Sequence, residues 1–236
     1  MLSTFETVIY IAAALIPAFY LLRYVYKKDR IEKEPTKILV SLFLYGVLAA
    51  IPAMVLETIA DELIMPSLSI TNPTIYIIFY ALMIGLVEEG CKYYFLYKRT
   101  WHEPHFNYLF DGIVYAVFVS LGFAAIENIL YVFQYGLGTA ALRAVLAVPG
   151  HMGFSVFMGI FYGRAKKAHV QGDKSGVSLN LLLAYVSSVF LHAFYDACAM
   201  LDTDLSLTIF LVFVVIMYVL VYNIIKKESL KDTSIY

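Results

Sequence analysis

Hydrophobic residues run along this chain in seven long blocks, at about 6–26, 38–60, 74–97, 110–133, 141–163, 179–201 and 205–225. Each is close to the roughly 17–25 residues that carry a helix across a bilayer. Polar residues collect in the short connections, which leave no room for a second soluble domain. The pattern therefore predicts an all-α, polytopic membrane helix bundle of about seven spans, built as one domain over residues 1–236. Four blocks break the pattern near their middles: Glu88-Glu89-x-x-Lys92, Glu127 followed by Asn128, His151, and His192-x-x-x-Asp196. An ionised carboxylate in hydrocarbon costs several kcal/mol, roughly, so such groups are expected to face a bundle interior and to do chemistry or transport there.

Composition agrees with a membrane protein: 61% of residues are hydrophobic and 15% charged, against about 45–50% apolar in ordinary globular domains. The placement of Lys and Arg is an independent check, because basic residues collect in cytoplasmic loops. They occur after the first block (Lys27, Lys28, Arg30, Lys33, Lys37), the third (Lys98, Arg99) and the fifth (Arg164, Lys166, Lys167, Lys174), and in the tail (Lys226, Lys227, Lys231). The alternate connections, Asp61 to Pro73, Gln134 to Ala140 and Asp202 to Asp204, hold none. This predicts a multi-pass protein of the cell membrane with its N-terminus outside and its C-terminus in the cytoplasm. The first block reads as a retained helix, since its positive charge follows the apolar run rather than preceding it. The net charge of −1, summed over both faces of a membrane, says little about partners, and no basic patch is large enough to suggest a nucleic-acid partner. Cys91 and Cys198 are expected to lie too far apart for a disulfide.

Tyr93, Tyr94, Tyr97 and Trp101 at one helix end, with Tyr131 and Tyr135 at another, form interfacial aromatic belts. Gly112-x-x-x-Ala116, Gly122-Phe-Ala-Ala and Gly159-x-x-x-Gly163 mark close helix packing. Counting depth at 1.5 Å per residue puts His151 and His192 within about 3 Å of the midplane, Glu89 about 5 Å toward the cytoplasm, and Glu127 and Asp196 about 8–9 Å outward. One cavity could hold them all. Helical spacing puts Lys92 within reach of both Glu88 and Glu89, and stacks His192 over Asp196. Because Glu88 and Glu89 point about 100° apart, one is expected toward the cavity and the other toward Lys92. Peptide hydrolysis needs a base for water, a donor for the oxyanion and an acid for the leaving amine, and Glu, His and Asn or Asp can fill these roles. Glu57, Asp61 and Glu62 read as a solvated helix end, and His102, His105 and His169 as surface residues.

At these residues the sequence resembles the PrsW family of intramembrane proteases, which is related to the CAAX-protease and bacteriocin-processing group. Glu88-Glu89-x-x-Lys92, Phe123-x-x-x-Glu127-Asn128, His151 and His192-x-x-x-Asp196 are similar to the family's four motifs, in order, within a core of about 74–201. The resemblance implies a glutamate-dependent intramembrane endopeptidase, with Glu88, Glu89, Glu127, His151, His192 and Asp196 catalytic and Lys92 and Asn128 supporting. It also implies a single-pass membrane substrate such as an anti-sigma factor, cut at a first site in a stress response. No cofactor is expected, although two His and several carboxylates leave a Zn²⁺ ion open as an alternative. The other rival is a proton-coupled transporter, which would use membrane Glu and His as relays.

Overall fold

The computed structural model describes residues 3–236, and among them seven helical stretches are long and apolar enough to cross a membrane. α1 covers Thr4–Lys28. α2, Thr36–Ile59, continues through a π-helical turn, Ala60–Ile64, into the short α3, Met65–Ser67. α4 is Pro73–Thr100 and α5 Leu109–Tyr135. The short α6, Leu137–Val145, meets α7, Ala147–Val170, at a break on Leu146. α8 is Lys174–Met200 and α9 Asp204–Leu230.

Several ends are set by local chemistry. The Asn72 side chain accepts from the Ile75 amide with Pro73 in the first turn, and Asp173 and Thr203 cap α8 and α9 in the same way. The helices outrun the apolar blocks by a few residues because their polar ends remain in regular helix. The connection expected from Asp61 to Pro73 is thus largely helical, with only residues 68–72 outside a helix. The fifth span is likewise two helices meeting at Leu146 rather than one.

α5 is the centre of the bundle: 89% of its most apolar window is buried, against 56% or less in every other span. It can pack this closely because glycines let backbones touch. A Cβ on Gly112 would lie 2.6 Å from the Gly159 carbonyl oxygen, and one on Gly163 would lie 2.6 Å from that of Leu109, which locks α5 to α7. Gly46 of α2 faces the Val119 carbonyl and Gly122 of α5 faces that of Phe43. The small-residue spacings are therefore packing seams.

The two faces differ in charge. The face where α1, α4, α7 and α9 end gathers the Lys and Arg of the helix ends and loops, and the opposite face holds only Arg143 among the described residues. Lys166, expected in a loop, is instead buried in the last turns of α7, 6% exposed, where its ammonium donates to the Trp101 carbonyl at 2.7 Å. Its long stem follows the helix while its head closes a loop. On this basic face the C-terminal tail folds back on the chain: Leu109 N–H donates to the Thr233 carbonyl (3.1 Å), Ile235 N–H to that of Asn107 (2.8 Å), and Phe110 N–H to Asp232 Oδ1 (2.9 Å).

Beneath the tail, the Tyr115 hydroxyl donates to Glu34 Oε2 at 2.7 Å. Burial pushes the Glu34 carboxyl from 4.5 up to about 7 and the Asp29 carboxyl from 3.8 up to about 6, and the Asp29 carboxylate raises the cost of ionising Glu34 further. The folded state holds these protons more tightly than the unfolded chain. The contribution of these two carboxyls to stability is therefore greatest at acid pH, falls as pH rises from about 4 to about 7, and changes no further above that. Thermal unfolding in nanodiscs across this range is expected to follow that slope, with Glu34→Gln removing its upper part between about pH 6 and 7.

Candidate active site

The first motif lies on the inward side of α4, where Glu88, Glu89 and Lys92 are 7%, 0% and 1% exposed. The Lys92 ammonium donates to Glu88 Oε2 (2.9 Å), Glu89 Oε1 (2.7 Å) and His151 Nδ1 (3.1 Å), so its three protons meet three acceptors. The expectation that only one glutamate would turn to Lys92 is corrected: the flexible lysine stem reaches both carboxylates, which sit three and four residues away. The Phe123 ring lies under the same ammonium at 4.1 Å.

Because an ammonium can only donate, His151 Nδ1 accepts and the ring proton sits on Nε2. That proton goes to Glu127 Oε2, 2.9 Å away, which also lies 3.0 Å from an Arg143 guanidinium nitrogen. On the other side of Lys92, His192 Nδ1 lies 3.0 Å from Glu89 Oε1 and its Nε2 lies 3.4 Å from Asp196 Oδ2. Phe154 stacks on the His192 ring at 4.8 Å. Gly85 contributes to this approach, since a Cβ there would lie 3.1 Å from the Val189 carbonyl oxygen of α8. Groups from α4, α5, α6, α7 and α8 thus form one continuous polar chain, from Arg143 through Glu127, His151, Lys92, Glu89 and His192 to Asp196.

This chain borders a cavity of about 550 Å³. Glu88, Glu127, His151, His192 and Asp196 line it; Glu89, Lys92 and Asn128 do not. Its deep end lies at Ala50, Phe123 and Phe154, and its other end at Asp61, Gln134, Tyr135 and Met200, on the face opposite the basic one. Asn128 is fully buried away from it, donating to the Ala14 carbonyl (2.7 Å) and accepting from Arg143 Nε (2.9 Å). Both ends of its amide are engaged, so it braces α5 against α1 and α6, away from where a substrate would sit.

Two lining residues were not expected. Arg143 clamps Glu127 and Asn128 and lies 4.1 Å over the Tyr131 ring. Its signal in the sequence was that it is the one basic residue at the end of the bundle that otherwise lacks them. Glu57, read as solvated, is half-buried in the cavity wall, in the last turn of α2 before the π-helical turn. His102, His105 and His169 are exposed, as expected, and both cysteines are free.

Glu88, Glu89, His151 and His192 each offer an atom within 4.8 Å of the others, the closest such group among the described residues. Two imidazoles and two carboxylates are a donor set that Zn²⁺ accepts, and Glu89 Oε2 is buried with no hydrogen-bond partner. The residues therefore fit a divalent ion, although Lys92 already contacts three of the four.

The family model described as PrsW family intramembrane metalloprotease matches residues 34–224. Relatives named Protease PrsW include one from Geobacillus kaustophilus, 38% identical over 79% of this chain and 77% of its own, and one from Bacillus subtilis, 34% identical over 79% and 80%. A third, from Clostridioides difficile, is 30% identical over 94% of this chain and 91% of its own. No solved structure matches.

Proposed function

This chain belongs to the PrsW family of intramembrane proteases and is a multi-pass membrane peptidase, and from that premise we propose that it cuts its substrate with water activated by Glu88. The observation that carries this reading is the convergence of the four motifs on one cavity in which Glu88, unlike Glu89, is a wall residue. Glu88 takes a proton from water in the cavity while Lys92 and Glu89 hold it in place. His192, set between Glu89 and Asp196, donates to the oxyanion that forms on the peptide carbonyl. Protonated Glu88 then returns that proton to the leaving amine, and the Glu127–His151 pair, oriented by Arg143, positions the water. Glu88, Glu89, Glu127, His151, His192 and Asp196 are thus the proposed reacting and positioning groups.

The substrate is a single-pass membrane protein, in line with the resemblance to proteases that act on anti-sigma factors. Its helix must unwind where it meets the cavity, because a helical peptide bond keeps its carbonyl and amide paired. Basic loops face the cytoplasm, so the N-terminus and the cavity mouth are outside and the substrate enters from there. Reconstitution in liposomes with single-pass substrates tests the assignment: wild type is expected to release two fragments. Equal cleavage by Glu89→Gln and His192→Ala would refute it.

A second reading is favoured by the donor cluster. A divalent ion held by Glu88, Glu89, His151 and His192 would supply Lewis acidity toward the peptide carbonyl. Stoichiometric metal in the purified protein, with activity lost on chelation and restored by Zn²⁺, is the result that this reading requires.

A further inference from the structure

We propose that Glu57 is a specificity-determining subsite that takes a Lys or Arg side chain of the substrate; this rests on the proteolytic reading above. The carboxylates lining the cavity differ in one respect. Glu88 is paired with Lys92, Glu127 with Arg143 and His151, and Asp196 with His192, and Asp61 accepts from the Tyr80 hydroxyl at 3.1 Å. Glu57 has neither an ion pair nor a side-chain hydrogen bond among the described residues, and its Oε1 is shut off from solvent. A buried carboxyl oxygen without a donor is unfavourable, and such a group is satisfied when something else brings the donor.

The nearby cations do not supply it: Lys92 is saturated by three acceptors, and Arg143 pairs with Glu127 and Asn128 and makes no ion pair or hydrogen bond with Glu57. Glu57 also lies between the reacting groups and the mouth, one helical turn before Asp61, so a substrate strand reaching Glu88 passes it. The face around the mouth adds Glu62, Asp202 and Asp204 against Arg143 as its only Lys or Arg among the described residues. That potential draws a basic segment in, and the unpaired carboxylate fixes its register.

The test uses wild type and Glu57→Gln in liposomes with single-pass reporter peptides. In these, one position at a time, along the stretch entering from the mouth side, is Lys, Arg, Gln or Glu. At one register wild type is expected to cut the Lys or Arg reporter at least about tenfold more efficiently, by kcat/KM, than the Gln reporter. In Glu57→Gln that ratio, taken within the same variant so that folding cancels, falls to near one, and in Glu57→Lys it inverts toward the Glu reporter. Indifference of wild type at every register, or a preference that survives in Glu57→Gln, overturns the subsite and leaves the proteolytic reading standing. Failure of wild type to cut any reporter overturns both.

Discussion

Glu88→Gln is expected to lower kcat on a reconstituted single-pass substrate by about a thousandfold while KM stays within a factor of about two. The amide keeps the side chain's shape and can still meet Lys92, but it cannot take a proton from water. Glu89→Gln is a different lesion. Glu89 is fully buried, does not line the cavity, and holds both Lys92 and His192. Both donors meet the same oxygen, Oε1, so the amide can keep its carbonyl there, but without the negative charge its hold on the Lys92 ammonium and the His192 ring weakens, and the fold weakens along with the rate. Measuring kcat, KM and the unfolding midpoint for both variants separates them. Nearly native turnover in Glu88→Gln, with Glu89→Gln inactive yet fully stable, would exchange the two roles.

The second large effect concerns Lys92. Lys92→Met removes the ammonium paired with both Glu88 and Glu89 and leaves His151 Nδ1 without its donor. Breaking a buried ion pair from one side costs about 3–5 kcal/mol, because the remaining charge has neither partner nor water. Lys92→Met is therefore expected to unfold far below wild type in a thermal or SDS titration. Adding Glu89→Gln should recover part of that loss, since one stranded charge is removed with it. A double variant no more stable than Lys92→Met alone would mean that the deficit comes from lost packing against Phe123 instead.

The motifs were readable from the chain for the same reason that they are costly: carboxylates and imidazoles in the middle of apolar blocks have no bland purpose when several occur in order. The number of spans followed from length and hydropathy alone, and the charge asymmetry of the loops is present in the structure. What could not be read lies at the ends of spans, where a polar residue is unremarkable. Glu57 and Arg143 belong there, beside the π-helical turn after α2 and the break before α7, and the packing of the helices brings both to the cavity. The choice between Glu88 and Glu89 was also hidden, because adjacent residues differ only in azimuth and α4 can be rotated to suit either. Asn128 stands next to Glu127, yet faces α1 rather than the cavity.

The glycine contacts bear on how a substrate gains admission. α2 with α5, α5 with α7, and α4 with α8 approach through glycines, main chain against main chain, and such joints cannot slide or part without collision. No glycine joins α2 to α4. Along the cavity that boundary is bordered by Ala53, Met54 and Glu57 on one side and Tyr80 and Ile84 on the other, with the Tyr80–Asp61 hydrogen bond tying its end. Rotamers can swing there while the main chain stays put, so this boundary can loosen by side-chain movement alone.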